Sequence, residues 1–181
     1  MKKILFLFSL GLLFSLFLNC SCSPKENSRP PYNYNLYLRF EDSSNNDKVK
    51  GINYIDKEGE LYTHKVEENA YKLSILTTDK SKENLFMGTL LYVEITDRYS
   101  CLIIQTGILP QYRPNQLIHK IVCPHIFGDN NEHTIVSNWK LVGAGEEICL
   151  GITVDGTYYQ PENGTDAYGN PVEISLVILD N

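Results

Sequence analysis

Apolar and more polar residues alternate along most of the chain beyond residue 33. Tyr34, Leu36, Leu38 and Phe40 occupy every second position of the first such segment. A period of two places these side chains on one face of a β-strand, which predicts a strand with one buried face. The same pattern predicts nine further strands, at residues 49–55, 61–66, 71–77, 89–96, 99–106, 118–124, 134–142, 148–154 and 172–179.

Turn signals separate these predicted strands. The dipeptides Asp155-Gly156 and Asn163-Gly164 are typical of tight turns. A short helix is predicted only at residues 81–87, and no long amphipathic helix is predicted. In the strand at 148–154, Leu150 is expected on the buried face with Ile152 and Val154. The pattern predicts an all-β fold, an antiparallel β-sandwich of about 7–10 strands.

One short segment supports a particular kind of sandwich. A strand ending at Phe40 is followed by a polar turn and then by Val49-Lys50-Gly51-Ile52. This order resembles the first hairpin of immunoglobulin-like and transthyretin-like modules. The resemblance implies that residues 33–181 form one β-sandwich domain of this general type.

The N-terminal segment has a different character from the rest of the chain. Lys2 and Lys3 precede an apolar run from Ile4 to Leu18. The run is shorter than the roughly 20 residues that cross a bilayer, and it has the layout of a secretory signal. No small-residue cleavage site follows it; instead the run ends in Asn19-Cys20-Ser21-Cys22-Ser23.

This ending resembles the lipobox of bacterial lipoproteins, in which a peptidase cuts before a diacylated cysteine. The small residues on both sides favour Cys22 as the lipidated residue, with Cys20 as the alternative. The resemblance implies a lipoprotein signal peptide at residues 1–21 and a polar tether at 22–32. It also implies a protein of the bacterial cell envelope, lipid-anchored at the periplasmic face or cell surface of the outer membrane.

The charge of the chain excludes one large class of partner. The chain has 16 Lys and Arg residues and 22 Asp and Glu residues, which give a formal net charge of −6. Removal of Lys2 and Lys3 with the signal makes the mature protein more acidic still. No window contains the clustered basic residues that bind phosphates, so we expect no nucleic acid partner.

Three cysteines remain in the predicted domain. An exported chain is able to oxidise Cys101, Cys123 and Cys149, but an odd number allows at most one bridge. The sequence does not choose the pair. Buried free thiols are the alternative.

Two motifs have the residue types of reactive sites. Ser137 and Lys140 match S-x-x-K, but in a strand their side chains point to opposite sheet faces, which argues against catalysis. Cys123, His125 and His133 are residue types that bind zinc or form a nucleophile and base. Their spacing matches no common zinc signature, so we predict no metal or other cofactor and keep a metal or thiol enzyme as the alternative function.

Residues 155–171 are predicted to be the longest irregular stretch of the domain. Asp155, Glu162, Asp166 and Asn170 offer oxygen ligands, but their spacing matches no calcium loop. The stretch also carries three tyrosines beside amides and carboxylates, a combination that contacts sugars and peptides. We therefore predict a possible ligand surface at Tyr158, Tyr159 and Tyr168.

Two classes of function follow from these observations. The first is a lipid-anchored, non-catalytic module for binding, adhesion or scaffolding, with an envelope glycan or protein as partner. The second is an exported enzyme centred on Cys123, His125 and His133. The first is favoured because no catalytic motif is consistent with the strand pattern.

Overall fold

Two β-sheets contain most of the described residues, which are residues 32–77, 80–142 and 146–180 of a computed structural model. Twelve strands, a 3-10 helix (Lys80–Leu85) and one short α-helix occur within these ranges. The strands and the α-helix are β1 (Tyr32–Asp42), β2 (Tyr54–Ile55), β3 (Thr63–Val66), β4 (Lys72–Leu76), β5 (Phe86–Ile95), β6 (Ser100–Ile108), β7 (Gln116–Val122), α1 (Pro124–Phe127), β8 (His133–Val142), β9 (Glu146–Val154), β10 (Thr157–Tyr159), β11 (Glu162–Thr165) and β12 (Pro171–Leu179). The predicted all-β sandwich is confirmed.

The seven-stranded sheet has the order β11-β12-β1-β6-β5-β3-β2, and the five-stranded sheet has the order β10-β9-β8-β7-β4. The pairs among the described strands are antiparallel except β1 with β12, which run parallel from Tyr37–Ile174 to Asp42–Leu179. A parallel pair needs a long connection, and here nearly the whole domain supplies it. The first and last strands therefore lie side by side inside one sheet.

The core lies between the two sheets, and the inward face of β1 forms much of it. The four alternating residues predicted to be buried are all at most 2% exposed. The Trp139 ring of β8 meets the Tyr34 ring edge-on at 5.1 Å, and the Phe127 ring of α1 meets the Phe40 ring at 5.5 Å. Such aromatic pairs contribute about 0.5–1.5 kcal/mol each beyond their burial.

A buried hydrogen bond joins the sheets inside this core. His119 Nε2 of β7 lies 2.8 Å from Thr106 Oγ1 of β6, and His119 Nδ1 has no hydrogen-bond partner among the described residues. Burial lowers the pKa of His119 to about 4, because the charged imidazolium loses its hydration there. His119 is therefore neutral at pH 7.

The segment 155–171 is not irregular as predicted, and it raises the strand number above the expected range. Asp155 and Gly156 form a two-residue hairpin turn between β9 and β10, with φ of 47° and 90°. Positive φ at both positions is the geometry that favours Asp-Gly. β11 pairs with β12, and residues 166–170 form the turn between them. The Asp155-Gly156 signal was correct, but Asn163-Gly164 lies within β11 and not in a turn. The strands of this segment are too short for an alternating pattern to be recognised.

The prediction that Leu150 faces the core is wrong, because a β-bulge interrupts β9. Asn138 pairs with Gly151 and Trp139 pairs with Cys149, which leaves Leu150 as the extra residue. Its side chain is 47% exposed, whereas Cys149 and Ile152 are buried. A bulge shifts the inward and outward alternation by one residue, and periodicity alone does not reveal it.

Three other predicted elements change near their ends. Of residues 49–55 only β2 is a strand, because the Asp47 carboxylate accepts the backbone N–H groups of Val49 and Lys50 and holds a turn. The strand predicted to reach residue 124 ends at Val122, since Pro124 begins α1. Proline suits the first helical position because it lacks the N–H that would remain unpaired there. The helix predicted at 81–87 is the 3-10 helix, and Phe86 already belongs to β5.

Candidate functional site

The three cysteines of the domain are free, buried thiols. Burial raises the pKa of Cys123, raises that of Cys149 to about 11, and raises that of Cys101 further. A thiolate is the form that attacks substrates and binds metals. These environments therefore disfavour the chemistry that the alternative function requires.

Cys123, His125 and His133 have separate surroundings. Cys123 is buried just before α1, and His125 Nε2 donates to the Lys50 carbonyl oxygen at 3.0 Å. His133 lies at the start of β8 and stacks on Phe127, with ring centroids 3.8 Å apart. Within the described ranges, no group of three or more His, Cys, Asp and Glu side chains is arranged to hold a metal ion. Ser137 is buried and Lys140 is exposed, as strand geometry predicts.

His133 is instead the centre of an Asp–His–Asp cluster. Its Nδ1 lies 2.6 Å from Asp155 Oδ2, and its Nε2 lies 3.0 Å from Asp129 Oδ1. Burial opposes a charge on His133, but the hydrogen bonds that its ring donates to the two carboxylates outweigh burial and raise the pKa of His133. The hydrogen bonds from Asn131 and His133 hold the pKa of Asp129 low. The cluster ties the loop after α1 to the β9–β10 turn.

We predict that this cluster stabilises the domain most at mildly acidic pH. Because the pKa of His133 is higher in the folded chain, its contribution is complete below about pH 6.5 and is lost as the pH rises through the folded value. Neutral histidine has one N–H, so one aspartate then faces a ring lone pair. His133→Gln is expected to lower the free energy of unfolding by about 1–2 kcal/mol at pH 6 and by less at pH 9, measured by urea unfolding.

His125→Gln is the matched control for this prediction, since His125 bonds to a backbone carbonyl and not to a carboxylate. It measures the cost of losing a histidine hydrogen bond outside the Asp–His–Asp cluster. If His133→Gln lowers the free energy of unfolding equally at pH 6 and pH 9, the Asp–His–Asp cluster has no pH-dependent role.

The three tyrosines predicted as a ligand surface lie in different places. Tyr158 and Tyr159 lie on β10, where the Tyr158 ring covers Gly151 and the Tyr159 hydroxyl donates to the Ile178 carbonyl oxygen. Tyr168 lies in the turn between β11 and β12 and meets Tyr62 edge-on at 5.7 Å. Tyr168 therefore borders the outer face of the seven-stranded sheet, away from β10.

On that outer face, Tyr168 helps to enclose a cavity of about 200 Å³, which we call the outer-face cavity. The neighbouring strands β1, β6 and β5 supply its floor, because Tyr37 pairs with Ile103 and Ile103 pairs with Tyr92. The turn at residues 166–168 supplies one side. The lining residues are Asn35, Tyr37, Thr63, Tyr92, Glu94, Ile103, Gln105, Asp166 and Tyr168.

Glu94 is the most unusual residue of the outer-face cavity. Its side chain is 1% exposed, and its Oε1 has no hydrogen-bond partner among the described residues. The Ala167 backbone N–H donates to the carboxylate. Burial, with a smaller effect of the Asp166 charge, raises the pKa of Glu94. Buried polar groups nearly always have a partner, so the free Oε1 of Glu94 in a cavity wall is an exception to this rule.

Hydrogen bonds hold the turn beside Glu94 in place. Asp166 Oδ1 accepts the backbone N–H groups of Tyr168 at 3.0 Å and Asn170 at 2.8 Å, and Asp166 Oδ2 accepts from the Asn170 side chain at 2.9 Å. The Tyr99 hydroxyl donates to the Thr165 carbonyl oxygen at 2.9 Å. Both Asp166 oxygens are therefore occupied within the turn, and this wall of the cavity is preformed.

A second cavity of about 280 Å³ adjoins the outer-face cavity, and the two share Asn35 and Tyr37. This neighbouring cavity extends past the first residues of β12 to Trp139 and Glu147. It opens where β1 precedes its pairing with β12, since the parallel register begins only at Tyr37. The two cavities meet at Asn35 and Tyr37, and the neighbouring cavity continues to Tyr34 and Trp139 at the border of the core.

A third cavity, of about 400 Å³, lies near the end of β4 and is lined in part by Phe86, Tyr112 and Arg113. None of its described lining residues has a buried polar atom without a partner. It therefore lacks the feature that distinguishes the outer-face cavity.

The sequence pattern missed Glu94, Tyr37 and Tyr92 as site residues. Each occupies an outward position of a correctly predicted strand. The missing information was which strands are neighbours, and alternation within one strand does not supply it. Cys22 and its alternative Cys20 lie outside the described residues.

The comparisons with known proteins yield no relative: no protein-family model, no curated protein and no solved structure matches the chain. In the part of the chain that the structure describes, no helix has the length and apolar character needed to cross a bilayer.

Proposed function

We propose that the chain is a lipid-anchored protein of the bacterial cell envelope that acts as a non-catalytic binding module for an envelope glycan. The lipobox resemblance of residues 1–24 supports the anchor and the location. The outer-face cavity supports the binding role. The observation that carries the proposal is the free, buried oxygen of Glu94 in a cavity with tyrosine walls.

The chemistry of the cavity suits a sugar. Tyrosine rings present apolar faces that cover the C–H groups of a sugar ring, while their hydroxyls remain able to form hydrogen bonds. The amides of Asn35 and Gln105 and the Glu94 carboxyl group are partners for sugar hydroxyls. A concave site with a few placed polar groups is the usual form of a small-ligand site.

The same geometry argues for binding without hydrolysis. Most glycoside hydrolases use two carboxyl groups, one as an acid and one as a base or nucleophile. In the outer-face cavity, Glu94 has a free oxygen, but the two Asp166 oxygens already accept hydrogen bonds within their turn. The alternative enzyme centred on Cys123, His125 and His133 draws no support from three side chains in separate surroundings.

Glycan-array binding of the full chain, purified in detergent, tests this proposal. Tyr168→Ala is expected to weaken binding at least about tenfold, the equivalent of about 1.4 kcal/mol, because a stacking ring is lost. Tyr158→Ala is the matched control, since Tyr158 is a similarly exposed tyrosine on β10. Loss of binding only in Tyr158→Ala would move the site to β10, and a chain that binds no glycan would contradict the proposed ligand.

A further inference from the structure

The described lining of the outer-face cavity contains acidic side chains and no Lys or Arg. The acidic side chains are those of Glu94 and Asp166. The neighbouring cavity adds Glu147 and Glu173 and likewise has no Lys or Arg among its described lining residues. Such a site repels phosphates and acidic sugars and favours neutral or cationic ligands.

Nearby cations on the same sheet already have other partners. The Arg39 guanidinium forms an ion pair with Glu41 and lies 4.8 Å from the centre of the Tyr99 ring. Lys65 Nζ lies 2.8 Å from Glu68 Oε1. Among the described residues, no cation therefore lies beside the free oxygen of Glu94 to complete its hydrogen bonding.

The tyrosines around Glu94 add a second attraction for positive charge. Tyr37, Tyr92 and Tyr168 all line the cavity, and Tyr168 is 60% exposed at its rim. The face of an aromatic ring is electron-rich and attracts ammonium groups, which is the basis of aromatic cages. Three rings and one buried carboxyl group in about 200 Å³ form the usual components of an ammonium site.

We propose that the outer-face cavity binds the protonated amine of an amino sugar, with the ammonium group donating to Glu94 and the sugar ring lying against the tyrosines. This inference rests on the proposed function and narrows its ligand class. The cavity is smaller than the ~300–1,000 Å³ of sites for drug-sized ligands, so it takes one sugar ring. The neighbouring cavity, reached past Asn35 and Tyr37, takes the next ring.

Binding of a cation has a consequence for Glu94 that a neutral ligand does not have. The titratable groups that interact with Glu94 are Asp166 from the turn, Tyr37 from β1, and Cys101 and Tyr99 at the start of β6. None of these groups carries a positive charge, and the pKa of Glu94 is raised in the free protein. An ammonium group favours the carboxylate, so affinity increases with pH through the Glu94 titration and a proton is released.

A matched pair of ligands tests the inference by calorimetry on the full chain in detergent. Glucosamine trisaccharide carries free amines, and the N-acetylglucosamine trisaccharide is the same chain with the amines blocked. We expect the first to bind at least about tenfold more tightly, a difference of about 1.4 kcal/mol. We also expect its affinity to increase as the pH rises through the raised Glu94 titration, as long as the amine is still protonated.

Two variants locate the effect. Glu94→Gln keeps the shape of the side chain and is expected to remove the tenfold preference and the pH dependence. Glu162→Gln removes a carboxylate from β11 outside the lining of both cavities, and it is expected to change neither. If both variants weaken binding of the glucosamine trisaccharide equally, the effect comes from the net charge of the domain, and the proposed ammonium site is wrong.

The remaining outcomes separate the inference from the proposed function. If the N-acetylated trisaccharide binds as tightly and Tyr168→Ala weakens both ligands, glycan binding stands and the ammonium site is wrong. If neither trisaccharide binds, the inference of an amino-sugar ligand is overturned, and the glycan array alone decides the proposed function. If a lysine peptide binds in a Glu94-dependent way while no sugar binds, the ammonium site stands and the glycan proposal is wrong.

Discussion

Lowering the pH from 7 to 4 is expected to remove about 3 kcal/mol more from the free energy of unfolding of the natural chain than from a His119→Gln variant. The pKa of buried His119 is about 4, against about 6.5 in an unfolded chain. The unfolded chain therefore binds a proton first, so stability is complete above pH 6.5 and decreases as the pH falls to about 4. One unit of difference between the folded and unfolded pKa corresponds to about 1.4 kcal/mol. Between the unfolded value of about 6.5 and pH 4, this difference gives a loss of about 3 kcal/mol.

Urea unfolding at a series of pH values measures this effect. The slope of the free energy of unfolding against pH separates it from a loss of stability that is the same at every pH. His119→Gln is expected to be less stable than the natural chain at pH 7, because it disturbs a buried hydrogen bond. Thr106→Val is the matched control: it removes the same hydrogen bond and keeps the histidine. Its free energy of unfolding is expected to decrease between pH 7 and pH 4 by as much as that of the natural chain. Parallel profiles for the natural chain and His119→Gln would show that His119 is not the source.

Cys22→Ala is expected to abolish lipid labelling and to release the protein from the membrane fraction. The proposed anchor is attached through the Cys22 sulfur, and alanine has no atom that can carry it. Each buried methylene contributes about 0.8 kcal/mol, so loss of two or three acyl chains removes nearly all of the membrane affinity. Metabolic labelling with a palmitate analogue, followed by membrane fractionation, measures both effects.

Cys20→Ala is the matched control, because it changes a cysteine two residues away and leaves the proposed lipid site intact. It is expected to keep the label. Label lost only in Cys20→Ala would move the lipid site to Cys20. Label that persists in the variant lacking both cysteines would contradict the lipoprotein proposal itself.

The anchor and the outer-face cavity suggest how the proposed function is organised. The polar, proline-containing tether predicted at residues 22–32 is suited to hold a domain away from a membrane surface. The cavity is preformed, since its floor consists of paired strands and its wall is a hydrogen-bonded turn. A preformed site loses little conformational freedom on binding, which favours recognition of a small ligand.

Several features of the fold could be predicted because they depend on neighbouring residues only. Alternation identified β1 and its buried face, and the Asp155-Gly156 signal marked a tight turn. The errors occurred where a distant contact overrides the local pattern. Leu150 faces outward because β8 pairs across a bulge, and the strand predicted at 49–55 is shortened because Asp47 holds a turn.

The positions of the histidines also depend on distant contacts that the local sequence pattern does not reveal. The strand predicted at residues 118–124 ends at Val122 and α1 begins at Pro124, so His119 and His125 lie on different elements. His119 points into the core to Thr106, while His125 contacts Lys50. His133, weighed as a metal ligand, is stacked on Phe127 between two aspartates that come from separate loops.

The sequence by itself determined the all-β class and the buried face of β1, because successive side chains of a strand point to opposite faces whatever the rest of the chain does. The apolar segment that ends in Cys20 and Cys22 predicts the lipid anchor on the same local basis. Only the tertiary structure decided which residues line the proposed ligand site. Glu94 lies on β5 and Asp166 lies in the β11–β12 turn, far apart in the chain. They line the same cavity because the strand order brings this turn close to β5. Strand order results from packing of the whole domain, and no short stretch of sequence contains it.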